Sequence, residues 1–418
     1  MIPLEQARSR ILADCPPLRA RAIPVADALG CVTSIDLRAE DPVPPFDNTA
    51  VDGFAVRSSD AADVPVGLAV IGTIAAGARP DLPVGPGQAV RILTGAPMPP
   101  GADAVVMVED TDAWDGRSGR EAVGRIDAAT VTVRRAVAPG ENVREAGSDI
   151  AAGQVVFPGR TALGPGHLGV LTSIGLRKVP VFPRARVGVL STGDELFDGV
   201  GPLEPGKIRD SNRRTLLALV ARSNAEPVDL GLVPDDEGAI SAAISDGLSR
   251  CDALITSGGV SVGDFDYVKV VLDRLSGGRV QWMQVAIRPA KPLAFGIVGS
   301  TPVFGLPGNP VSSMVSFELF ARPALRQMMG HTDLDRPRVT AIADDGLLRR
   351  PDGKLHLVRV RAEWSAVDGR FHARETRGQS SHHLLAMAEA TGLALVPDGE
   401  GVGAGAEVEV VLLGWPDT

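Results

Sequence analysis

Leu254-Ile255-Thr256-Ser257-Gly258-Gly259-Val260-Ser261-Val262-Gly263-Asp264-Phe265-Asp266-Tyr267 runs from an apolar stretch into three glycines and two serines. The apolar stretch has the character of a buried parallel strand, and Val268 to Leu275 continues as a helix. Glycines let backbone N–H groups turn toward an anion, and a helix N-terminus adds a positive dipole end. Asp264 and Asp266 stand beside that cradle, and carboxylates repel an anion unless a cation lies between them. The pattern reads as a site for a phosphate-bearing ligand with Mg²⁺. The alternative is a ligand-free glycine turn with Asp264 as an ordinary helix cap.

Further acids follow other strand-like segments. Glu195 lies in Ser191-Thr192-Gly193-Asp194-Glu195, and Asp235 in Asp235-Asp236. Glu195, Asp235 and Asp266 converging on one cleft could hold Mg²⁺ through oxygens and waters. Asp236 and Asp264 could be helix caps instead and are second choices, and the weaker alternative for Glu195 is a solvated loop charge. In Lys207-Ile208-Arg209-Asp210-Ser211-Asn212, the residues Asp210, Ser211 and Asn212 are good caps whose helix N-terminus could also hold a phosphate oxygen. Arg288-Pro289-Ala290-Lys291-Pro292 puts two cations on a proline-braced loop, which lowers the entropy lost in presenting charge to an anion. Pro307-Gly308-Asn309-Pro310 forms a stiff turn before another helix. Phe46 to Arg57 gathers Asp47, Asn48, Thr49 and Asp52, although Asp52-Gly53 also suits a hairpin. Thr94 closes a strand in Arg91 to Pro97. No Gly-x-Ser-x-Gly elbow occurs, and the six histidines lack metalloprotease spacing. His382-His383 are adjacent and so face different ways in regular structure. No zinc is expected.

The elements that must position these groups fall into two patterns. Residues 3 to 14 carry Leu4, Ala7, Ile11 and Leu12 at helical spacing. From Pro24 to Val156 short strands alternate with Gly and Pro clusters, as at Leu68–Ile71, Ala89–Leu93, Ala104–Val108 and Thr130–Val133. A helix is expected over Leu163–Leu176. Strands at Arg186–Ser191, Pro227–Val233 and Ala253–Ser257 then alternate with helices at Arg213–Arg222 and Ala239–Ser249. That order implies a parallel sheet wrapped on both faces, with ligands beyond the carboxyl ends of its strands. A continuous helix is expected over Val311–Met328. Alternation at His356–Trp364 and Glu407–Leu413 predicts a small barrel or sandwich after Pro337.

At 418 residues the chain should hold several domains, and a net charge of −9 argues against a nucleic-acid surface. Aromatics at 4% leave little for base stacking. Cys15, Cys31 and Cys251 are odd in number and lack metal spacing, which fits a reducing, cytoplasmic compartment. No apolar run approaches a membrane span, so no membrane partner is expected.

Taken in order, these segments resemble the molybdopterin molybdenumtransferase family, the molybdenum insertases that include the E domain of gephyrin. The resemblance covers nearly the whole chain: Phe46–Arg57, Arg91–Pro97, Gly140-Glu141-Asn142-Val143-Arg144, Ser191–Leu196, Ile208–Asn212, Ser257–Tyr267 and Gly305–Ser312. It implies a multidomain α/β plus β fold. An N-terminal helix, 1–20, would pack on the α/β domain. Two β-rich modules, one inserted in the other, would fill 21–160. The molybdopterin-binding domain would occupy 161–333 and a β-barrel 334–418. The implied reaction takes adenylated molybdopterin and molybdate, releases AMP and leaves molybdenum on the dithiolene, assisted by Mg²⁺.

The resemblance puts the family's catalytic residues on Asp52, Thr94, Glu195, Asp235 and Asp266, with Glu195, Asp235 and Asp266 as metal ligands. The pterin and oxyanion would meet Ser257, Gly258, Gly259, Ser261, Asp210, Ser211, Asn212, Arg288, Lys291, Pro307, Pro310, Arg359 and Ser381. Arg288 stands where a lysine is familiar, and Gln284 where another can occur. A homodimer sharing each site between subunits is implied, with a molybdopterin adenylyltransferase as upstream partner. Two competing readings are a molybdopterin adenylyltransferase, which would not need residues 15–160 or the β tail, and a non-enzymatic pterin-binding scaffold. Molybdate and tungstate are left undistinguished.

Overall fold

The computed structural model describes residues 1–114, 129–259 and 267–414. Helix Leu4–Ala13 has Ala7 and Ile11 one turn apart, and both bury with Cys15 in the α/β core. The chain start is held there by the Ile2–Val285 bridge and by the Leu18 N–H donating to the Met328 carbonyl at 2.7 Å.

Arg21–Pro24 and Val32–Thr33 flank Lys178–Phe182 in an antiparallel sheet. Leu171 of helix Pro165–Ser173 buries with Leu163, Val179 and Val181 in the core beneath it. The sequence boundary at 160 therefore differs from the packing, which keeps residues to Phe182 with the N-terminal module. Lys178–Phe182 pairs backward onto Arg21–Pro24, a long-range choice that a local helix–strand alternation does not reveal.

Between these parts a five-stranded sheet runs Ala104–Met107, Gly53–Val56, Gln88–Ile92, Val66–Ile74, Thr130–Val133. Successive side chains point to opposite faces. Phe54 and Val56 enter one core with Val106, while Ala55 enters another with Val90 and Val105. Both faces are covered, so Gly53–Val56 is buried throughout.

The central sheet is ordered Glu226–Val233, Arg186–Thr192, Ala253–Ser257, Thr301–Leu306, Pro292–Val298, Gln281–Gln284. The first four strands are parallel, but the last two join antiparallel, making the sheet mixed. Val189 and Ile255 face a core shared with Leu216 and Phe304; Leu190 and Leu254 face Ile244 and Leu272 on the other side. The segment expected as one helix over Val311–Met328 is α-helical at Pro310–Ser316 and Arg322–Met328, with a π-helical turn at Phe317–Ala321. Pro323 has no N–H and its ring would strike the Leu319 carbonyl, so the ladder opens by a residue ahead of it.

In the C-terminal region five strands close on themselves. Leu355–Ser365 pairs with Arg370–Glu375 and Gly392–Val396, and the ring is completed through Arg338–Ala343 and Glu407–Leu412. Ile287–Arg288 of the central domain adds to it, parallel to Leu355–His356.

Two predictions follow from this packing. A Cβ at Gly53 would stand 2.0 Å from the Val106 carbonyl oxygen, which is paired backbone and cannot swing away. Gly53→Ala should lose about 1–3 kcal/mol in urea unfolding, and an unchanged midpoint would mean the strands can part freely. On the barrel, His372 bonds Asp344 through Nδ1 at 2.6 Å and Asp368 through Nε2 at 2.9 Å. Hydrogen bonds to Asp344 and then Asp368 raise its pKa. A raised folded pKa means the contribution is complete below the unfolded value of about 6.5 and fades as pH rises through the folded one. NMR titration should show His372 titrating late, and Asp344→Asn should bring it down.

Candidate functional site

The polar loops gather at the carboxyl ends of the parallel strands, where strand N–H and C=O ladders run out. After Arg186–Thr192 the chain turns at Gly193, whose φ of +147° favours glycine. A Cβ there would lie 2.6 Å from Glu195 Oε2, so the glycine lets that carboxylate fold back over the turn. The Asp194 N–H donates to Asp235 Oδ2 at 3.3 Å, and the Asp235 N–H donates to Asp194 Oδ1 at 3.2 Å. This reciprocal pair brings the Glu195 and Asp235 loops side by side. Lys207 Nζ donates to the Asp194 carbonyl, adding a cation to that loop.

Helix Ser211–Arg222 begins at Asp210, whose Oδ1 accepts from the Arg213 N–H and the Ser191 hydroxyl, each at 3.1 Å. Arg213 itself is 2% exposed. Its Nε donates to Asp210 at 3.0 Å, its Nη1 to both oxygens of Asp229 at 2.6 Å, and its Nη2 to Asp198. Burial works against the guanidinium charge, but the hydrogen bonds to Asp229 and Asp210 outweigh it and raise the pKa. This hub was missed by sequence reading: an arginine three residues past a cap gives only a weak local signal, and Asp229 comes from another strand.

Asn212 links three distant segments. Its Nδ2 donates to Ser257 Oγ at 2.8 Å and to the Gly308 carbonyl at 2.6 Å. The Gly258 N–H donates to the Leu306 carbonyl at 3.1 Å, so the glycine turn lies beside the Pro307–Pro310 turn. Gly258 and Gly259 hold φ of +92° and +71°, and a Cβ on Gly258 would approach the Thr192 carbonyl at 3.1 Å. Ser211 takes the first helical position beside them. Ser261, Asp264 and Asp266 lie outside the described residues.

Next to this cluster a cavity of about 520 Å³ separates the central domain from the barrel. Arg288 and Lys291 line it from the proline-braced loop, with Pro307, Asn309 and Ser312 from the next turn and helix start. Lys354, Ser381 and His382 come from the barrel. Ser381 is tied in by its carbonyl, which accepts the Val311 N–H at 3.1 Å. Pro310, at the start of that helix, orients this contact. Arg359 is fully buried, and its Nη2 donates to the Gly378 carbonyl at 2.8 Å and the Ser380 carbonyl at 3.3 Å. Among the described residues its Nε and Nη1 have no hydrogen-bond partner, and burial lowers its pKa while Glu375 opposes the shift. Arg359 therefore braces the cavity's barrel wall with hydrogen-bonding capacity in reserve. Lys354, which sequence reading also passed over, is placed there by folding alone.

Asp52 and Thr94 meet in the β-rich module. Thr94 donates to Asp52 Oδ1 through both its N–H and its hydroxyl, each at 2.6 Å. Both residues are exposed, and these bonds stay within the module.

Three family models cover the chain in order: the MoeA N-terminal region (domain I and II) over residues 2–175, a probable molybdopterin binding domain over 188–327, and the MoeA C-terminal region (domain IV) over 347–413. Molybdopterin molybdenumtransferase 2 of Mycobacterium tuberculosis is 37% identical over 97% of this chain and 98% of its own. The molybdopterin molybdenumtransferase of Haemophilus influenzae is 38% identical over 86% and 85%. This chain belongs to the molybdopterin molybdenumtransferase family. Its fold also superposes on the crystal structure of the molybdopterin biosynthesis moea protein from Pyrococcus horikosii, with TM-score 0.80, 29% identity and coverage of 99% and 100%. Among the described residues no helix is long and apolar enough to cross a membrane.

In this member of the molybdopterin molybdenumtransferase family the residues carried over from the resemblance form two groups. Glu195, Asp235, Asp210, Asn212, Ser257, Gly258 and the Pro307 turn adjoin one another and the Arg288–Lys291 cavity, while Asp52 and Thr94 stand together in the β-rich module. The first group depends on Arg213, which leads to a stability test. Arg213→Met leaves the buried Asp210 carboxylate uncompensated and should cost about 3–5 kcal/mol, with Arg213→Lys intermediate because an ammonium cannot span three carboxylates. A loss under about 1 kcal/mol in denaturant unfolding would reduce the hub to a screened surface pair.

Proposed function

We infer that this chain carries out the step for which its family is named, transferring molybdenum to molybdopterin in molybdenum cofactor biosynthesis. The observation that carries the reading is a cavity lined by Arg288, Lys291 and Lys354, with no carboxylate among its described lining residues, beside the Asn212–Ser257–Gly308 junction. A tetrahedral dianion such as molybdate suits such a lining, and a phosphate-bearing pterin suits the adjoining glycine turn and helix N-terminus.

The incoming pterin is adenylated in this reading. Water adds to a phosphorus of the phosphoanhydride as AMP leaves and the pterin keeps its terminal phosphate, while the two dithiolene thiols bind molybdenum as one oxygen of molybdate departs as water with their two protons. Among the described residues no group of three or more candidate ligands gathers as a ready-made metal cage. Glu195 and Asp235 nevertheless offer hard oxygen donors from adjoining loops, which fits Mg²⁺, an ion commonly held by one or two carboxylates together with substrate phosphates. Glu195 and Asp235 would hold it, with Asp266 as the third acid. Bound there, Mg²⁺ would supply neutralisation of phosphate charge. The protein's own groups do the remaining work: Asn212 and Gly258 shape the pterin side, and Arg288 and Lys291 hold the oxyanion. The Asp52–Thr94 pair is supplied by a second copy of the chain in a homodimer, and an adenylyltransferase provides the substrate.

Asp235→Asn should lower AMP release from adenylated molybdopterin on the order of a hundredfold, with the unfolding transition unchanged. Near-normal turnover would remove Asp235 from the reaction. Mixing inactive Asp52→Ala and Asp235→Ala chains, once subunit exchange is demonstrated, should restore part of the activity because one site per mixed dimer is intact. Mixed dimers that form and stay inactive would place each site within one subunit.

A further inference from the structure

Behind the oxyanion cavity lies a second one of about 440 Å³, and the two share Arg288, Pro289, Gln379 and Ser380 as a common wall. Asp352 lines the second cavity and points a carboxylate at that wall. Its Oδ2 accepts from Lys354 Nζ at 2.8 Å and lies 4.0 Å from Arg288 Nη1. The same carboxylate is anchored by Arg349 Nη2 at 2.6 Å and by His356 Nε2 at 3.2 Å. Arg349 Nη2 and the Asp352 N–H both donate to Asp398 as well, at 2.8 and 3.0 Å, so the anchor is braced from two directions. Hydrogen bonding from Lys354, then from His356, holds the Asp352 carboxyl well below the usual range, and it remains an anion at working pH.

Lys354 reaches across this wall. Its side chain is 20% exposed, lines the front cavity and is tethered at the rear to Asp352. An ammonium has three N–H donors. One is spent on Asp352, and among the described residues the others have no partner and are open to a ligand in front.

We propose that Lys354 is a third oxyanion-binding cation, contributed by the C-terminal barrel, and that Asp352 is its positioning residue. The ligand class is a tetrahedral oxyanion dianion. Arg288 and Lys291 are the cations the central domain supplies to the described lining, and Lys354, whose Nζ meets the same Asp352 oxygen that lies near Arg288 Nη1, brings a cation of the barrel to the same oxyanion, so that binding bridges the two domains. The proposal rests on the oxyanion reading of the cavity given above.

The test is molybdate binding to the purified full-length chain by calorimetry, without pterin and therefore independent of turnover. Lys291→Ala, Lys354→Ala, Lys354→Gln and Asp352→Asn are compared, with melting temperature checked for each. Lys354→Ala should weaken binding about tenfold or more, since a hydrogen bond to a charged group is at stake. Lys354→Gln keeps a polar side chain without charge and should weaken it similarly, which decides the matter if the alanine variant melts early. Asp352→Asn should weaken binding severalfold, and Asp352→Asn with Lys354→Ala should be no weaker than Lys354→Ala alone. Full additivity would assign Asp352 a structural role only and overturn its positioning of Lys354. Loss of binding in Lys291→Ala with none in the folded Lys354 variants overturns the assignment while leaving the cavity reading intact. Unchanged binding in every variant overturns both.

Discussion

A guanidinium buried to 2% exposure must be surrounded by acceptors, and Arg213 meets that demand with three carboxylates drawn from separate places in the chain. Asp210 is the cap of its own helix, Asp229 sits within the edge strand Glu226–Val233, and Asp198 follows the Glu195 loop. Among the described residues these three carboxylates compensate the buried charge, and Arg213 in turn holds each of them, with Arg214 adding a contact to Asp198. The planar fork of an arginine presents donors on three separate nitrogens and so reaches carboxylates spread around it, whereas the donors of an ammonium all leave one nitrogen. Once Asp210 is held, Asn212 is aimed at Ser257 and Gly308, and the loops at neighbouring strand ends acquire a common geometry.

A second constraint acts between domains. Ile287–Arg288 leaves the central domain and adds to the barrel alongside Leu355–His356. The proline-braced loop is thereby part of two structures, and the cavity in front of it belongs to both. Val311, at the start of the helix after the Pro307–Pro310 turn, is hydrogen-bonded to Ser381 of the barrel in the same way. Backbone hydrogen bonds of this kind resist domain displacement more firmly than exposed ion pairs, whose strength is screened by salt.

Much of the local structure was legible in the chain. Ala253–Ser257 reads as a buried strand because its five residues are apolar or small, and it is buried throughout. Asp210 and Asp236 read as helix caps, and both accept the N–H three residues on. Alternation also marked His356–Trp364, within the observed strand Leu355–Ser365, and the spacing of Gly and Pro clusters marked the short strand Thr130–Val133. These signals are short-range, set by which side of one element meets solvent.

What the sequence determined by itself was therefore the type and order of elements, the polar loops at strand ends and, through ordered motifs, the family. Tertiary structure decided which loops meet. A strand's period is the same whether its neighbour runs parallel or antiparallel, so the reversal at Pro292–Val298 and Gln281–Gln284 was not legible. Lys178–Phe182 joined the N-terminal module for the same reason. Arg213 and Lys354 look like ordinary charges in the chain. One is buried among acids from two loops and an edge strand, and the other stands in a cavity between domains, because long-range packing sets the surroundings of a charge and the surroundings set its chemistry.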